Sequence, residues 1–141
     1  MEVSNTRILG LDIGDSRIGI ALSDPLGILA SPLTIITRMD EEADIEAIID
    51  VIQQNQVERV IVGLPLSMDS SLGKQAEKVK AFVMALCRHT GVPVEFRDER
   101  LTTVSAKRMV RGVRKTSKGT RYDAMAAALI LQGYLDEASG R

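Results

Sequence analysis

The chain has 141 residues, 45% of them apolar, and a net charge of −1. That length suits one domain, residues 1–141, able to bury roughly two-thirds of its unfolded surface without disulfides or a structural metal. The longest apolar run, Ala124 to Leu131, is too short to span a bilayer, and Met1-Glu2-Val3-Ser4 lacks the regions of a signal peptide. A lone cysteine, Cys87, cannot form an internal disulfide, so the expected setting is the cytoplasm, away from membranes.

Two apolar runs, Arg7 to Asp12 and Arg17 to Ser23, are split by Ile13-Gly14-Asp15-Ser16 and read as antiparallel strands joined by a tight turn. In the second, Ile18, Ile20 and Leu22 share one face, and Gly19, Ala21 and Ser23 share the other. Asp24-Pro25-Leu26-Gly27 forms the next turn, and a third strand is expected near Ile28 to Ile36. Asp40-Glu41-Glu42 opens a helix with acids at the positive end of its dipole. Ile45, Ile48, Ile49 and Ile52 then supply a core-facing stripe.

Arg59 to Gly63 is continuously apolar after its first residue, as a central strand should be. A loop runs from Leu64-Pro65 through Ser71. The following helix carries Val79, Phe82, Val83 and Leu86 on one face, and Val92 to Arg97 makes a fifth strand. Thr102 or Thr103 caps a short helix to about Arg111, Gly112 to Gly119 is a basic loop, and a last helix covers about Thr120 to Glu137. Cys87 reads as core, with Met68 and Met84 as packing, and Cys87 with His89 is too sparse for a zinc site. A three-strand meander followed by helix–strand–helix–strand gives an α/β fold. Its mixed five-stranded sheet has the order 3-2-1-4-5, with helices on both faces. The working site of such a sheet lies at the carboxyl ends of its parallel strands. Asp12-Ile13-Gly14, Gly63-Leu64-Pro65 and Asp98-Glu99-Arg100 meet there.

Asp12 ends an apolar strand, where an ionised carboxylate costs several kcal/mol, roughly, unless a cation or backbone amides compensate it. Asp98-Glu99 follows strand five, and Asp123 opens the last helix. Three convergent carboxylates without His or Cys suit Mg²⁺ or Mn²⁺ and phosphodiester chemistry that needs no nucleophilic side chain. Each acid also has a plainer role. Asp12 would accept amides of the Gly14 turn, Asp98-Glu99-Arg100 would be a salt-bridged loop, and Asp123 would be the N3 residue of a capping box headed by Thr120. Charge is uneven as well. Arg97 to Arg121 holds nine Lys or Arg against two acids, while the remainder holds nine against seventeen. Such a segment is either a solvated face or a patch for a polyanion. Lys115, Lys118 and Arg121 are the candidate phosphate contacts beside Asp123, with Arg100 and Arg17 as weaker ones.

Four segments in order, LGLDIGDSRIGIALSDP (9–25), VIVGLPLSMD (60–69), FRDERLTT (96–103) and DAMAAALILQGYLD (123–136), resemble the YqgF/RuvX family of pre-16S rRNA nucleases, also called Holliday junction resolvase-like. The resemblance covers Ile8 to Glu137. It implies a ribonuclease H-like fold, and Asp12, Glu99 and Asp123 as catalytic, metal-binding acids. It chooses Glu99 over Asp98, of which strand alternation lets only one face the site. Ser70 departs from the pattern where a Gly is common, and Arg121-Tyr122 replaces a Lys and a small apolar residue. The function so implied is a divalent-metal-dependent endonuclease on structured nucleic acid, RNA favoured over DNA, processing the 5′ end of pre-16S rRNA in ribosome biogenesis. The alternatives are a resolvase-like DNA nuclease and a non-catalytic nucleic-acid-binding factor in ribosome assembly or transcription. Asp12-Ile13-Gly14 with Gly19 also resembles the phosphate loop of actin-like ATPases, but those close two domains over a nucleotide. The chain is expected to be a monomer or a weak homodimer.

Overall fold

Strand β1, Arg7–Ile13, sits at the centre of a five-stranded sheet whose strands are placed by what each face must bury. The computed structural model describes residues 6–66, 72–101 and 119–140, setting aside the side chains of 119–123. In chain order β1 is followed by β2 (Arg17–Ser23), β3 (Ala30–Thr37), α1 (Glu41–Gln54), β4 (Val57–Leu64), α2 (Lys74–Cys87), β5 (Val94–Asp98), a 3-10 turn at Glu99–Leu101 and α3 (Gly119–Ala138). The spatial order is β3-β2-β1-β4-β5, with β1, β4 and β5 parallel and the first three strands an antiparallel meander. The order read from the sequence is the order found.

One face of the sheet is the main core. Leu9, Leu11, Ile18, Ile20, Val60 and Val62 pack there against Ile45, Ile48 and Ile52 of α1 and Val79, Phe82, Val83 and Leu86 of α2. The other face is thinner and is covered by α3, whose Ala127, Ala128, Ile130 and Leu131 meet Ala21 and Ile61. Small residues on both sides bring this helix close. A Cβ added to Gly10 would lie 2.8 Å from the Leu131 Cβ and 2.9 Å from the Ala127 carbonyl oxygen. Gln132 then ties α3 to the start of β3, accepting from the Ala30 amide at 2.9 Å and donating to the Ile28 carbonyl at 2.8 Å.

Several boundaries and two side chains differ from the sequence reading. Strand β3 starts two residues later than expected because the Asp24 carboxylate accepts the Ile28 and Leu29 amides at 2.7 and 2.9 Å, extending the turn. Strand β5 starts at Val94, after a bend in which Thr90 Oγ1 accepts the Val92 amide. Cys87, read as core, and Met84, read as packing, are exposed, Met84 by 63%. The buried stripe of α2 is Ala76, Val79, Phe82, Val83 and Leu86, and positions 84 and 87 fall on the flank beside it. The expected helix from Thr102 or Thr103 to Arg111, the basic loop and Met68 lie outside the described residues.

The Gly10 contact yields a stability prediction. Gly10→Ala forces α3 off the sheet, so it should destabilise the protein by about 1–3 kcal/mol in urea or thermal unfolding, although Gly→Ala in a strand is ordinarily favourable. An unchanged or raised Tm would show that the helix has room to spare.

Candidate active site

Alternation along the strands decides which side chains share the α3 face. On β1 these are Ile8, Gly10 and Asp12, because Leu9 and Leu11 belong to the opposite core. On β4 they are Arg59, Ile61 and Gly63, and on β5 Glu95 and Arg97, paired in register with Ile61 and Gly63. Asp12 pairs with Gly19 on one side. On the other, the parallel register that sets Leu11 beside Val62 continues toward Gly63. Asp12 therefore stands in a row of residues without bulk.

Glu99 uses that gap. It leaves the end of β5 in the 3-10 turn, and a Cβ on Gly63 would come within 2.7 Å of its Oε1 and 2.5 Å of the Ile130 Cδ1. Only a glycine at 63 leaves room for this carboxylate between β4 and α3. There the side chains of Glu99 and Asp12 hydrogen-bond one another, which requires one of them to be protonated. Burial, then the charge of Asp12 and the hydrogen bond to it, push the Glu99 carboxyl up to about 7 from an ordinary 4.5.

Asp98 behaves differently. Its oxygens accept the Arg100 amide at 2.9 Å and the Arg100 Nη2 at 2.7 Å, and the hydrogen bond from that guanidinium holds its carboxyl below the ordinary carboxylate range. Asp98 has a cation of its own, whereas Glu99 faces another acid. The salt-bridged-loop reading thus fits Asp98 and leaves Glu99 to the pair with Asp12.

Asp123 belongs to α3, one helical turn before Ala127, which abuts Gly10. The C-terminal half of the helix lines a cleft with Ile8 through Tyr134, Leu135 and Ala138, so its other end points toward the Asp12 end of β1. Helix α3 already includes Gly119 and Thr120, which moves Asp123 into the second turn and away from the N3 position of a box headed by Thr120. The side chains of Asp123 and Arg121, and the whole of Lys115 and Lys118, lie outside the described residues. Among the described residues no three His, Cys, Asp or Glu side chains gather as a metal-binding group, and Asp12 with Glu99 is a pair. Its donors, all carboxylate oxygens, match a hard divalent cation, and a positive charge would relieve the repulsion that raises Glu99.

Two supports of the site escaped the sequence reading. Arg38 braces the turn that follows Asp12. Its Nη1 donates to the Gly14 carbonyl at 2.9 Å, its Nε to Asp44 Oδ2 at 3.0 Å, its amide to the Ser16 carbonyl, and its guanidinium lies 4.9 Å from the Phe82 ring centroid. Asp44 is buried and also accepts the Met39 amide at 3.0 Å. No local pattern announces this pair, because it links a loop to the first turn of α1. Arg97 likewise fastens β5 to α3, ion-paired with Glu137, and its guanidinium fills the place a Cβ on Gly133 would take. A signal existed only for Gly63, since a glycine inside an apolar strand marks a close approach.

The RuvX family model, described as Holliday junction resolvase, matches residues 6–137. A Moorella thermoacetica protein named "Putative pre-16S rRNA nuclease" is 48% identical over 132 residues, covering 92% of this chain and 94% of that one. A Dehalococcoides mccartyi protein of the same name is 46% identical, over 90% and 96%. Among solved structures, Thermus thermophilus RuvC in complex with a Holliday junction substrate matches with a TM-score of 0.59 at 18% identity, covering 96% of both chains. Fowlpox virus resolvase in complex with Holliday junction DNA matches with a TM-score of 0.61 at 10% identity, over 94% of this chain and 98% of that one. At such identities the structures speak for the fold alone, which is ribonuclease H-like. No helix among the described residues is long and apolar enough to cross a membrane.

The carboxylate pair predicts a pH dependence for the metal-free protein. The folded state binds the Glu99 proton more tightly than the unfolded chain, so stability is full below about pH 4.5 and falls as pH rises to about 7. Glu99→Gln should flatten that slope in chelator and raise stability at pH 8 by about 2 kcal/mol, measured by urea unfolding across pH. A slope identical in wild type and variant would place the titration elsewhere.

Proposed function

This chain belongs to the RuvX family, and we propose that it is a divalent-metal-dependent endonuclease acting on structured nucleic acid, namely the 5′ end of pre-16S rRNA. The observation that carries this reading is the meeting of the Asp12 and Glu99 carboxylates over Gly63, at the carboxyl ends of the parallel strands. A protein gains no stability from forcing two acids together out of water. The arrangement makes sense as half of a cation site whose other part is Asp123, brought up by α3. Asp12, Glu99 and Asp123 are thus the proposed catalytic and metal-binding residues. Asp12, Glu99 and Asp123 would hold Mg²⁺ or Mn²⁺, which would supply Lewis-acid chemistry at the phosphodiester.

The chain's own groups do the rest. Without a cation, burial and the Asp12 charge push the Glu99 carboxyl up to about 7, so loading the site would displace the proton that Glu99 then holds. Asp98 fixes the guanidinium of Arg100 at the mouth of the site. With the segment that includes Lys115, Lys118 and Arg121, Arg100 offers positive charge to a phosphate backbone without reading bases. RNA is favoured over DNA because the relatives are named for pre-16S rRNA. The family's description as Holliday junction resolvase makes four-way DNA the second substrate to test.

The decisive experiment offers the same preparation precursor 16S rRNA and a four-way DNA junction, with and without Mn²⁺. Cleavage of the RNA should require the metal and fall by about a thousandfold or more in Asp12→Asn, with Tm kept within a few degrees. Mn²⁺ should raise the Tm of wild type and not that of the variant. Cleavage by the pure variant would remove Asp12 from the mechanism. Metal-independent binding without cleavage would make the protein a non-catalytic nucleic-acid-binding factor.

A further inference from the structure

The chain has two Phe, two Tyr and no Trp. Phe82 is buried under the sheet, where a scarce aromatic is expected, but Phe96 leaves 40% of its surface exposed. It stands on β5, the last strand in the sheet order, and pairs in register with Val62, so its ring lies on the α2 side. The Lys80 ammonium of α2 lies 5.8 Å from the ring centroid. Met84, 63% exposed, and Cys87 follow Lys80 along the same flank of the helix. This corner of the molecule therefore offers an exposed aromatic, a cation beside it and a polarisable apolar shelf.

The geometry points to a single-stranded segment of nucleic acid as the occupant of this corner, one base stacked on Phe96 and the adjoining phosphate on Lys80. The inference rests on the nuclease reading above and deepens it, by naming the path of the strand beyond the acids. Three features favour nucleic acid over a protein partner. Helix α2 carries Lys74 and Lys80 against Glu77, with Lys78 paired to Asp15, which leaves a net positive charge suited to a polyanion. An exposed aromatic interleaved with basic residues is the usual platform for unpaired bases, because every base has a π-face. The position is also continuous with the site, since Phe96 precedes Glu99 by three residues, about 10 Å along the chain. As the edge of the sheet, β5 lets one strand touch Glu99 on one face and Phe96 on the other. Asp98, between them, is already paired with Arg100 and holds the edge in place.

The test uses full-length protein in chelator, so that binding is read without cleavage, and labelled single-stranded RNA followed by anisotropy. Phe96→Ala and Phe96→Leu should each weaken binding by about 5- to 100-fold at unchanged Tm. Phe96→Trp should bind as wild type does, and its sole indole should be quenched by the RNA but not by the same strand carrying abasic sites. Equal affinity in wild type and Phe96→Ala, or an indole indifferent to bases, overturns the proposal. Wild-type affinity in Phe96→Leu also overturns it, since an aliphatic side chain would then serve and the face would fit a protein surface. If wild type still cleaves precursor rRNA with Mn²⁺ in any of these cases, the stacking corner fails and the nuclease reading stands. If wild type neither binds nor cleaves, both fall.

Discussion

Two like charges placed side by side out of water repel, and the fold spends its geometry on holding them there. Asp12 and Glu99 come from the first and last strands of the parallel set, separated in sequence by 86 positions and in the sheet by one strand. The strand between them carries glycine at the level where they meet, so Glu99 reaches across it instead of standing off. Burial and the Asp12 charge push the Glu99 carboxyl up to about 7, a shift that a bound cation would reverse. Most of what surrounds the pair makes sense as scaffolding for it.

That scaffolding works from both sides of the sheet. On one side α3 lies against β1 with nothing between Gly10 and the Ala127–Leu131 turn, a spacing that fixes where the start of the helix falls. Arg97 packs into the small-residue face of the same helix at Gly133 and pins its far end through Glu137. On the other side Arg38, supported by buried Asp44 and the ring of Phe82, grips the carbonyl of Gly14 two residues after Asp12. Removing Arg38 would strand the buried charge of Asp44, which is why that clamp acts as a fixed point. Close packing on one face and a charged brace on the other leave the Asp12 end of β1 little freedom.

Across the sheet edge the surface changes character within a few residues. Glu99 is turned inward to its partner acid, Asp98 is tied to Arg100, and Phe96 is turned outward under Lys80. Alternation along a single edge strand thus separates an acidic pocket from a basic, aromatic shelf.

Apolar periodicity and turn chemistry were enough to place every described strand and helix, their order in the sheet, and the end of the sheet where the acids collect. Runs such as Arg59–Gly63 and the stripe Ile45, Ile48, Ile52 leave few alternatives, because burial must be satisfied locally and crossovers have one hand. The sequence pattern also marked Asp12 as an anomaly, since a carboxylate ending an apolar strand is costly wherever it goes. Tertiary structure decided what no local rule reaches. It separated Glu99 from Asp98, exposed Met84 and Cys87 on a flank of α2, set the Arg38–Asp44 clamp against Gly14, and assembled the Arg97–Glu137 clamp from distant segments. Propensity and period describe a residue and its near neighbours. Which carboxylate loses its water, and which arginine finds it, depends on the close approach of elements far apart in the chain.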